Sequence, residues 1–370
     1  MKSKKKLGPL IGGLCILCMA LLFLPGCQRV KATEHGIEPD SAMVEIGPDE
    51  SELSISDLDL DLIEEAAFYE AVPVLWEEPR YALSAPSARP GEPLTVGFMD
   101  VPSGAARRNL QAILFDSRGR RITRASFFEV TGELKAAIMA VPSTAIAGNS
   151  VVRVEAGGEK LRELPFVIER RDFFSETIPL DQSNTDLRTV PDPQKTAESE
   201  LLWAIISRTG TIIYSDGLFI PPVESRRITS SYGSRRVYEY ANGTSDTTIH
   251  AGIDIGVPTG TPVLSCAAGK VALARYRIVT GYTVIVEHLP GVFSLYYHMD
   301  SIAVSEGQLV EAGAFLGESG ATGLATGPHL HWEIRVSTEN ADPDFFLSSP
   351  VLDKNDIIDK MYSTQSTTSP

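Results

Sequence analysis

Two histidines lie two residues apart in the stretch TGPHLHWEIRV, which spans residues 326–336 and has the composition of a β-strand. Successive side chains of a strand point to opposite faces, so His329 and His331 would share one face. An isolated pair of this kind is most often two solvated surface histidines. Its chemistry therefore depends on which other polar residues can reach the same face.

A second polar pair lies upstream in HAGIDIG, where His250 and Asp254 are four residues apart. Four residues are an even step in an extended segment, so the imidazole and the carboxylate would again share a face. One histidine of HLH would raise the number of nitrogen and oxygen ligands to three. Three protein ligands, with a fourth position left for water, are typical of catalytic zinc sites, whereas structural zinc sites use four. The sequence therefore predicts a hydrolytic zinc site.

A further histidine, His298, ends the strand-like stretch SLYYHMD. With three ligands in place, two histidines of these segments remain. Hydrolysis of an amide near neutral pH needs a group that takes a proton from water and returns it to the leaving amine, and the pKa of histidine suits both tasks. The pattern favours metal-assisted hydrolysis of an amide bond.

These segments resemble the M23 family of zinc endopeptidases, the lysostaphin and LytM type that cleaves peptide bridges of peptidoglycan. The matching motifs are HAGID, YYHMD and TGPHLHWE, and the intervening GTPVLSCAAGKV, GYTVIVEHLPG and VSEGQLVEAGAFLGESGATG follow the strand and turn sequence of the family. The resemblance covers residues 222–346, about a third of the chain. It implies an antiparallel β-sheet peptidase domain in this region.

The resemblance also implies a role for five residues, three as ligands of one Zn²⁺ ion and two as the catalytic pair: His250, Asp254 and His331, then His298 and His329. A tyrosine that helps to polarise the substrate carbonyl in some family members has no unambiguous counterpart here. His288, in VIVEHLPG, is not needed by the motif pattern and is expected to fix a hairpin.

Two other functions are compatible with parts of the pattern. A non-catalytic M23 module that binds and activates a cell-wall amidase has lost metal ligands, whereas all five positions are filled here, and burying such side chains without a metal would cost stability. A cysteine peptidase built on Cys266 would need a positive environment that VLSCAAG does not indicate. We therefore expect a zinc metalloendopeptidase that hydrolyses peptidoglycan cross-links, with the amidase activator as the alternative.

The first 26 residues are predicted to be a signal peptide with a lipobox. MKSKKK is a basic start, an apolar run follows from Leu7 to Leu24, and LPGC ends at Cys27, which would carry the lipid. Pro25 departs from the small or hydroxyl residue usual at its position, and an uncleaved signal anchor is the alternative, because the run is long enough to span a bilayer. Either form predicts an exported, membrane-anchored protein that faces the cell wall, in the periplasm if the organism has an outer membrane.

The remaining sequence predicts a mostly β protein with several parts. A net charge of −15 argues against a nucleic-acid partner, because phosphates require a basic surface. Acidic residues concentrate in residues 27–79, a predicted disordered tether. Short apolar runs separated by the turn signals DSRG and AGGEK predict a small immunoglobulin-like β-sandwich over residues 80–171, interpreted as a spacer.

The last predicted parts flank the peptidase-like region. Residues 172–221 are a predicted connector with an amphipathic helix in TAESELLWAIISRTG, which Thr196 would cap and Gly210 would end. Residues 347–370 are a predicted frayed tail. A fragment from Ala197 to the C-terminus is expected to fold alone, bind zinc and digest peptidoglycan.

Overall fold

A computed structural model of the protein describes residues 79–101 and 109–365, with side chains described up to residue 363. The predicted signal peptide, Cys27 and the acidic tether therefore lie outside the described residues. Strand predominates over helix in this part of the chain, so the predicted mostly β fold class is confirmed. Among the described residues, none of the helices combines the length and apolar character that a membrane span needs.

The N-terminal part is a sandwich of two sheets with strand orders β1-β3-β7-β6 and β2-β9-β8-β4-β5. In chain order the strands are β1 Arg80–Leu83, β2 Ser87–Ala88, β3 Pro93–Met99, β4 Leu110–Phe115, β5 Arg121–Ser126, β6 Phe128–Glu129, β7 Lys135–Ala140, β8 Gly148–Ala156 and β9 Glu159–Ile168. DSRG and AGGEK connect antiparallel neighbours, as predicted. The immunoglobulin-like character of this sandwich stays a prediction.

The sheet β1-β3-β7-β6, here called the shared sheet, is buried on both faces. Val96, Phe98 and Met139 point into the core between the two sheets of the sandwich. The alternate residues Ala136 and Ile138 join a different core cluster, which also holds buried residues of the C-terminal part of the chain. This double burial explains why KAAIMA is apolar at nearly every position instead of alternating with polar residues. The sandwich is thus packed against the rest of the protein.

The C-terminal part is built on a sheet with the order β11-β14-β21-β18-β17-β16-β19, with β15, β20 and β22 attached at its side. A smaller sheet has the order β10-β12-β13. The strands are β10 Ser175–Pro179, β11 Ile228–Ser230, β12 Arg235–Glu239, β13 Ser245–Ile249, β14 Ile253–Ile255, β15 Pro262–Leu264, β16 Gly269–Arg277, β17 Gly281–Leu289, β18 Val292–Ile302, β19 Leu309–Val310, β20 Phe315–Ser319, β21 Leu330–Val336 and β22 Glu339–Ala341. The central strands β17, β18 and β21 are almost entirely buried and form the framework of the site.

Two helices, α1 Gln182–Thr189 and α2 Pro193–Ile206, lie in the connector. The predicted cap and end of the amphipathic helix are wrong, because α2 begins three residues before Thr196 and stops at Ile206. Asp192 caps it by accepting a hydrogen bond from the Gln194 amide (2.7 Å), and Pro193 suits the first turn because its missing N–H costs nothing there. Ile205 and Ile206 are buried against the C-terminal sheet, with Leu201 and Leu202 partly buried beside them.

The end of the chain does not fray at Leu347, and that prediction is wrong. A short helix, α3 Pro343–Phe346, is followed by α4 Lys354–Gln365. Ile357 and Met361 of α4 are 0% and 1% exposed, because they pack on the outer face of the shared sheet. Asp353 accepts hydrogen bonds from the amides at the start of α4. The helix therefore joins the sandwich to the C-terminal part.

Candidate metal centre

The central sheet brings the HAGID and HLH segments together. In the pairing of β14 with β21, Asp254 lies directly opposite His331. His250 precedes β14 and is tied by its backbone to residues 233 and 234. Gly252 permits this close approach, since a Cβ at that position would lie 2.2 Å from the Trp332 carbonyl oxygen. Two segments 77 residues apart are thereby placed side by side.

Three side chains converge in this place and could hold a metal ion. Ligand atoms of His250, Asp254 and His331 lie within 4.8 Å of one another, and all three residues are buried. His250 Nε2 is 3.1 Å from Asp254 Oδ1 and 3.0 Å from His331 Nδ1. His331 Nδ1 is 2.8 Å from the same carboxylate oxygen. The structure thus brings together the three predicted ligands.

The outer contacts of the two rings determine which nitrogens face the cluster. His250 Nδ1 lies 2.9 Å from the Ser231 carbonyl oxygen, to which it donates, so Nε2 presents its lone pair inward. His331 Nε2 lies 3.5 Å from Glu333 Oε2, which leaves Nδ1 on the inner side. Two imidazole nitrogens and a carboxylate oxygen, each backed by an outer partner, are a donor set that fits zinc.

The electrostatics of the cluster are dominated by buried carboxylates. Burial opposes ionisation of Asp254, but hydrogen bonds with His250 and His331 hold its pKa well below the ordinary range. Burial also opposes a charge on His331, yet Asp254 and Glu333 together raise its pKa to about 9. The pKa of His250 is lowered, because burial outweighs its single carboxylate neighbour. The two candidate ligand histidines therefore differ in how readily they give up a proton.

His298 and His329, the predicted catalytic pair, lie beside this cluster. Their ring centroids are 4.8 Å apart. His298 Nδ1 is 2.8 Å from the Thr322 carbonyl oxygen, and His329 Nδ1 is 2.8 Å from the Gly327 carbonyl oxygen. His329 Nε2 lies 3.8 Å from Asp254 Oδ1. Each ring is thus held through Nδ1 and keeps Nε2 for other partners.

The backbone of His298 is strained. Its φ is +61°, a left-handed conformation that costs energy in a residue with a Cβ. The pairing of β17 with β18 shifts between Tyr282 and Val284, so that Tyr297 and His298 together oppose one residue of β17. This bulge turns the His298 side chain toward the cluster. Burial and the neighbouring His329 and His331 lower its pKa to about 3, so its imidazole is neutral at physiological pH.

The five predicted site residues line one groove, with a cavity of about 240 Å³. Other lining side chains come from the connector and from β12, including Ile178, Leu180 and Arg236. Arg236 donates to Asp254 Oδ2, and sequence reasoning did not find it. Glu333 was missed as well, although it continues the alternation of His329 and His331 along one face of β21. The roles assigned to the five residues stay predictions.

Cys266 and His288 lie in the core, away from the cluster. Cys266 Sγ is 3.6 Å from His288 Nε2, which is 2.7 Å from Ser294 Oγ. Burial raises the pKa of the Cys266 thiol to about 11 and lowers that of His288 to about 4. Neither group ionises near neutral pH, so the pair gives a cysteine peptidase no support. Cys266 is a small buried residue of the core.

Comparisons with known proteins agree with the resemblance seen in the sequence. Residues 248–343 match the model of Peptidase family M23. The peptidoglycan DD-endopeptidase ShyB of Vibrio cholerae is 38% identical over 117 residues, which are 32% of this chain and 27% of that protein. The DD-carboxypeptidase/endopeptidase Mpg of Neisseria meningitidis is 34% identical over 135 residues, 36% of this chain and 30% of that protein.

Among solved structures, the catalytic domain of lysostaphin from Staphylococcus simulans is 29% identical, with a TM-score of 0.30, and the match covers 33% of this chain and 92% of that one. The chain spans less than a third of the length of the two curated relatives named above. The likeness to all of these proteins is therefore a likeness of one domain.

Proposed function

We propose that the protein is a zinc-dependent endopeptidase that hydrolyses peptide cross-links of bacterial peptidoglycan, because residues 248–343 match the model of Peptidase family M23. One observation supports this most strongly. A buried cluster of three ligand atoms within 4.8 Å of one another has two further imidazoles directly beside it. The names of the relatives ShyB and Mpg support the choice of peptidoglycan as the substrate.

His250, Asp254 and His331 would hold the zinc ion. When bound, zinc supplies Lewis acidity, which polarises the scissile carbonyl and makes water a stronger acid. The chain itself must orient the substrate and move protons. The Thr322 carbonyl oxygen holds His298 through Nδ1, so its Nε2 is left to accept the proton of the attacking water. His329, whose Nε2 lies 3.8 Å from Asp254 Oδ1, is the second imidazole beside the cluster and would return a proton to the leaving amine.

The groove suits an extended peptide. Ile178 and Leu180 give it apolar lining, and Thr280 and residues 324–326 line it as well. An extended chain lying in the groove would contact both the candidate ligands and the imidazole pair, because all five of those side chains line it. The groove thus contributes positioning, which is a large part of the catalysis of amide hydrolysis.

The amidase-activator alternative is less well supported. Such a module needs no metal ligands, whereas this chain buries three of them with matched outer partners. We also propose that the enzyme acts outside the cytoplasmic membrane, anchored by a lipid on Cys27 or by an uncleaved signal anchor. This location follows from the LPGC sequence and from the position of the proposed substrate.

Two substitutions separate the proposed roles. His331→Ala removes a ligand and should abolish both zinc content and hydrolysis of a cross-linked muropeptide. His298→Ala leaves the three ligands and should keep stoichiometric zinc while turnover falls by about 10²- to 10⁴-fold. Zinc would be measured by elemental analysis, products by mass spectrometry, and folding by circular dichroism.

Each possible result has a definite meaning for the proposal. Wild-type protein loaded with zinc that cleaves no cross-linked muropeptide would favour the amidase activator. A fully active His298→Ala variant would show that the proton-transfer residue has been misassigned.

A further inference from the structure

The connector strand β10 forms part of the site. It pairs in parallel with β12, so that Glu176 lies opposite Arg236 and Ile178 lies opposite Tyr238. Glu176 and Ile178 of β10, and Leu180 directly after it, are more buried than the residues between them. Ile178 and Leu180 line the same groove as the candidate ligands. A segment predicted to lie outside the peptidase domain thus contributes a wall of its groove.

The carboxylate of Glu176 is linked to two of the three candidate ligands. Its Oε1 accepts hydrogen bonds from Ser230 Oγ (2.6 Å) and from Arg236 Nε (2.8 Å). Ser230 Oγ lies 3.2 Å from His250 Nδ1. Arg236 Nη2 donates to Asp254 Oδ2. Both paths end on a ligand side chain, at an atom that faces away from the other two ligands.

The charges of Glu176 and Arg236 can fix the orientation of the Asp254 carboxylate. The side chains of Arg236 and Asp254 are only 11% and 10% exposed, so water screens their attraction weakly. The planar guanidinium can fix the plane of the Asp254 carboxylate while Oδ1 stays directed at the cluster. A second carboxylate, that of Glu176 at Nε, holds the guanidinium in place and shares its charge. Without Glu176, the guanidinium of Arg236 would be free to turn and to bind both oxygens of Asp254, in competition with the metal ion.

We propose that Glu176 is a positioning residue of the metal centre, which orients Asp254 through Arg236 and His250 through Ser230. This inference rests on the proposed binding of zinc but not on the identity of the substrate. It extends the functional unit to β10, where Glu176 lies 72 residues before the start of the family match.

The test compares zinc affinity in Glu176→Gln and wild-type protein, measured on the full exported chain by competition with a chromophoric chelator. Removing the charge should weaken zinc binding by about 10- to 100-fold, the range typical of outer partners of metal ligands. Glu169→Gln is the matched control, because Glu169 accepts a hydrogen bond from Ser87 in the sandwich and contacts none of the ligands. Its zinc affinity should equal that of the wild type.

Melting temperature with and without zinc separates positioning from general stability. Substituting a residue that only stabilises the fold would lower both melting temperatures equally. Substituting a positioning residue would reduce the increase in melting temperature that zinc produces. Ser230→Ala interrupts only the path to His250, so zinc should raise its melting temperature by less than in the wild type but by more than in Glu176→Gln. This variant provides the test if Glu176→Gln does not fold.

Unchanged zinc affinity in both Glu176→Gln and Ser230→Ala would overturn the inference. The proposed function fails separately, if wild-type protein binds zinc but cleaves no muropeptide. Wild-type protein that bound no zinc would overturn both.

Discussion

At the scale of single residues, the His331 ring has a contact at each of its two nitrogens and another on its face. Its ring stacks on that of Tyr297 with centroids 5.2 Å apart and planes 5° from parallel. Asp254 and Glu333 contact its two nitrogens, and Arg335 Nε in turn donates to Glu333. Arg335 and His331 together lower the pKa of Glu333 to about 2, against the opposing effect of burial. The ring thus lies between two ionised carboxylates.

This arrangement predicts how zinc affinity depends on pH. After removal of zinc by chelation, His331 with a pKa of about 9 carries a proton at pH 7.5, whereas His250 with its lowered pKa is neutral. A protonated Nδ1 cannot be a ligand, so zinc binding must release that proton. We expect zinc affinity to rise by up to about tenfold per pH unit from pH 6.5 to 9. Above pH 9 His331 has lost its proton, and its contribution to the pH dependence should end. Calorimetry in buffers of different ionisation enthalpy would count the protons released.

Glu333→Gln is the comparison variant for this measurement. It removes one of the two carboxylates that raise the pKa of His331, so fewer protons should be released at pH 7.5. Glu318→Gln, whose carboxylate bonds Ser301 instead, should behave like the wild type. Proton release that is the same in Glu333→Gln and wild type would contradict the role given to Glu333.

At the scale of elements, the docking of α4 on β3 depends on Gly97. A Cβ at this position would lie 2.3 Å from Ile357 Cγ2 and 2.5 Å from Met361 Cε. The end of Met361 can swing away, but the branched Ile357 is fully buried and can move only with its helix. The absence of a side chain in β3 is therefore what allows the helix to pack.

We expect Gly97→Ala to lower the free energy of unfolding by about 1–3 kcal/mol, the usual cost of overpacking a core. Urea denaturation followed by circular dichroism would measure it. Gly132→Ala is the control, because its Cβ would meet nothing within 4 Å. Equal stability of the two variants would show that α4 does not pack closely on β3 in solution.

The elements show what the sequence could and could not predict. The alternation of His329 and His331 is local, and the sequence alone is enough to indicate a polar face there. The bulge that turns His298 is set by pairing between strands and leaves no pattern in SLYYHMD. Glu176 meets its partner Ser230 across 54 residues, and nothing in either segment indicates the other. Local periodicity therefore indicated the polar faces of HAGID and HLH, and the family resemblance selected His331 as the third candidate ligand, but neither indicated the groups that support the ligands.

At the scale of the whole molecule, the sandwich and the C-terminal part share one core. Beyond the apolar contacts of the shared sheet, Ser337 Oγ donates to the Ile138 carbonyl oxygen (2.6 Å), and the Asp342 amide donates to the Gly91 carbonyl oxygen (2.8 Å). Arg171 also pairs with Asp342. These bonds tie the two parts together at several separate points.

For this reason the fragment from Ala197 to the C-terminus should not fold as an independent, stable domain, in contrast to the expectation from the sequence. It lacks Glu176 and the strand β10, and it exposes the apolar surfaces that pack on the shared sheet. It should be poorly soluble, melt at lower temperature than a fragment beginning at Arg80, and bind zinc more weakly. Circular dichroism and chelator competition on both fragments would test this. A cooperative melt and wild-type zinc affinity for the shorter fragment would restore the spacer interpretation of the sandwich.

The position of Glu176 also affects which segment must move together when such a domain is transferred to another protein by gene rearrangement. The family match starts at residue 248, but the carboxylate that holds Ser230 and Arg236 is contributed by the segment leading in from the sandwich. A gene rearrangement that copied residues 248–343 into another host would carry the ligands and the imidazole pair without this support. The recipient would have to supply counterparts of Ser230 and Arg236, which also precede residue 248, as well as an acidic residue to hold them. On this view, the unit that evolution can transfer intact is longer than the stretch whose resemblance is recognisable.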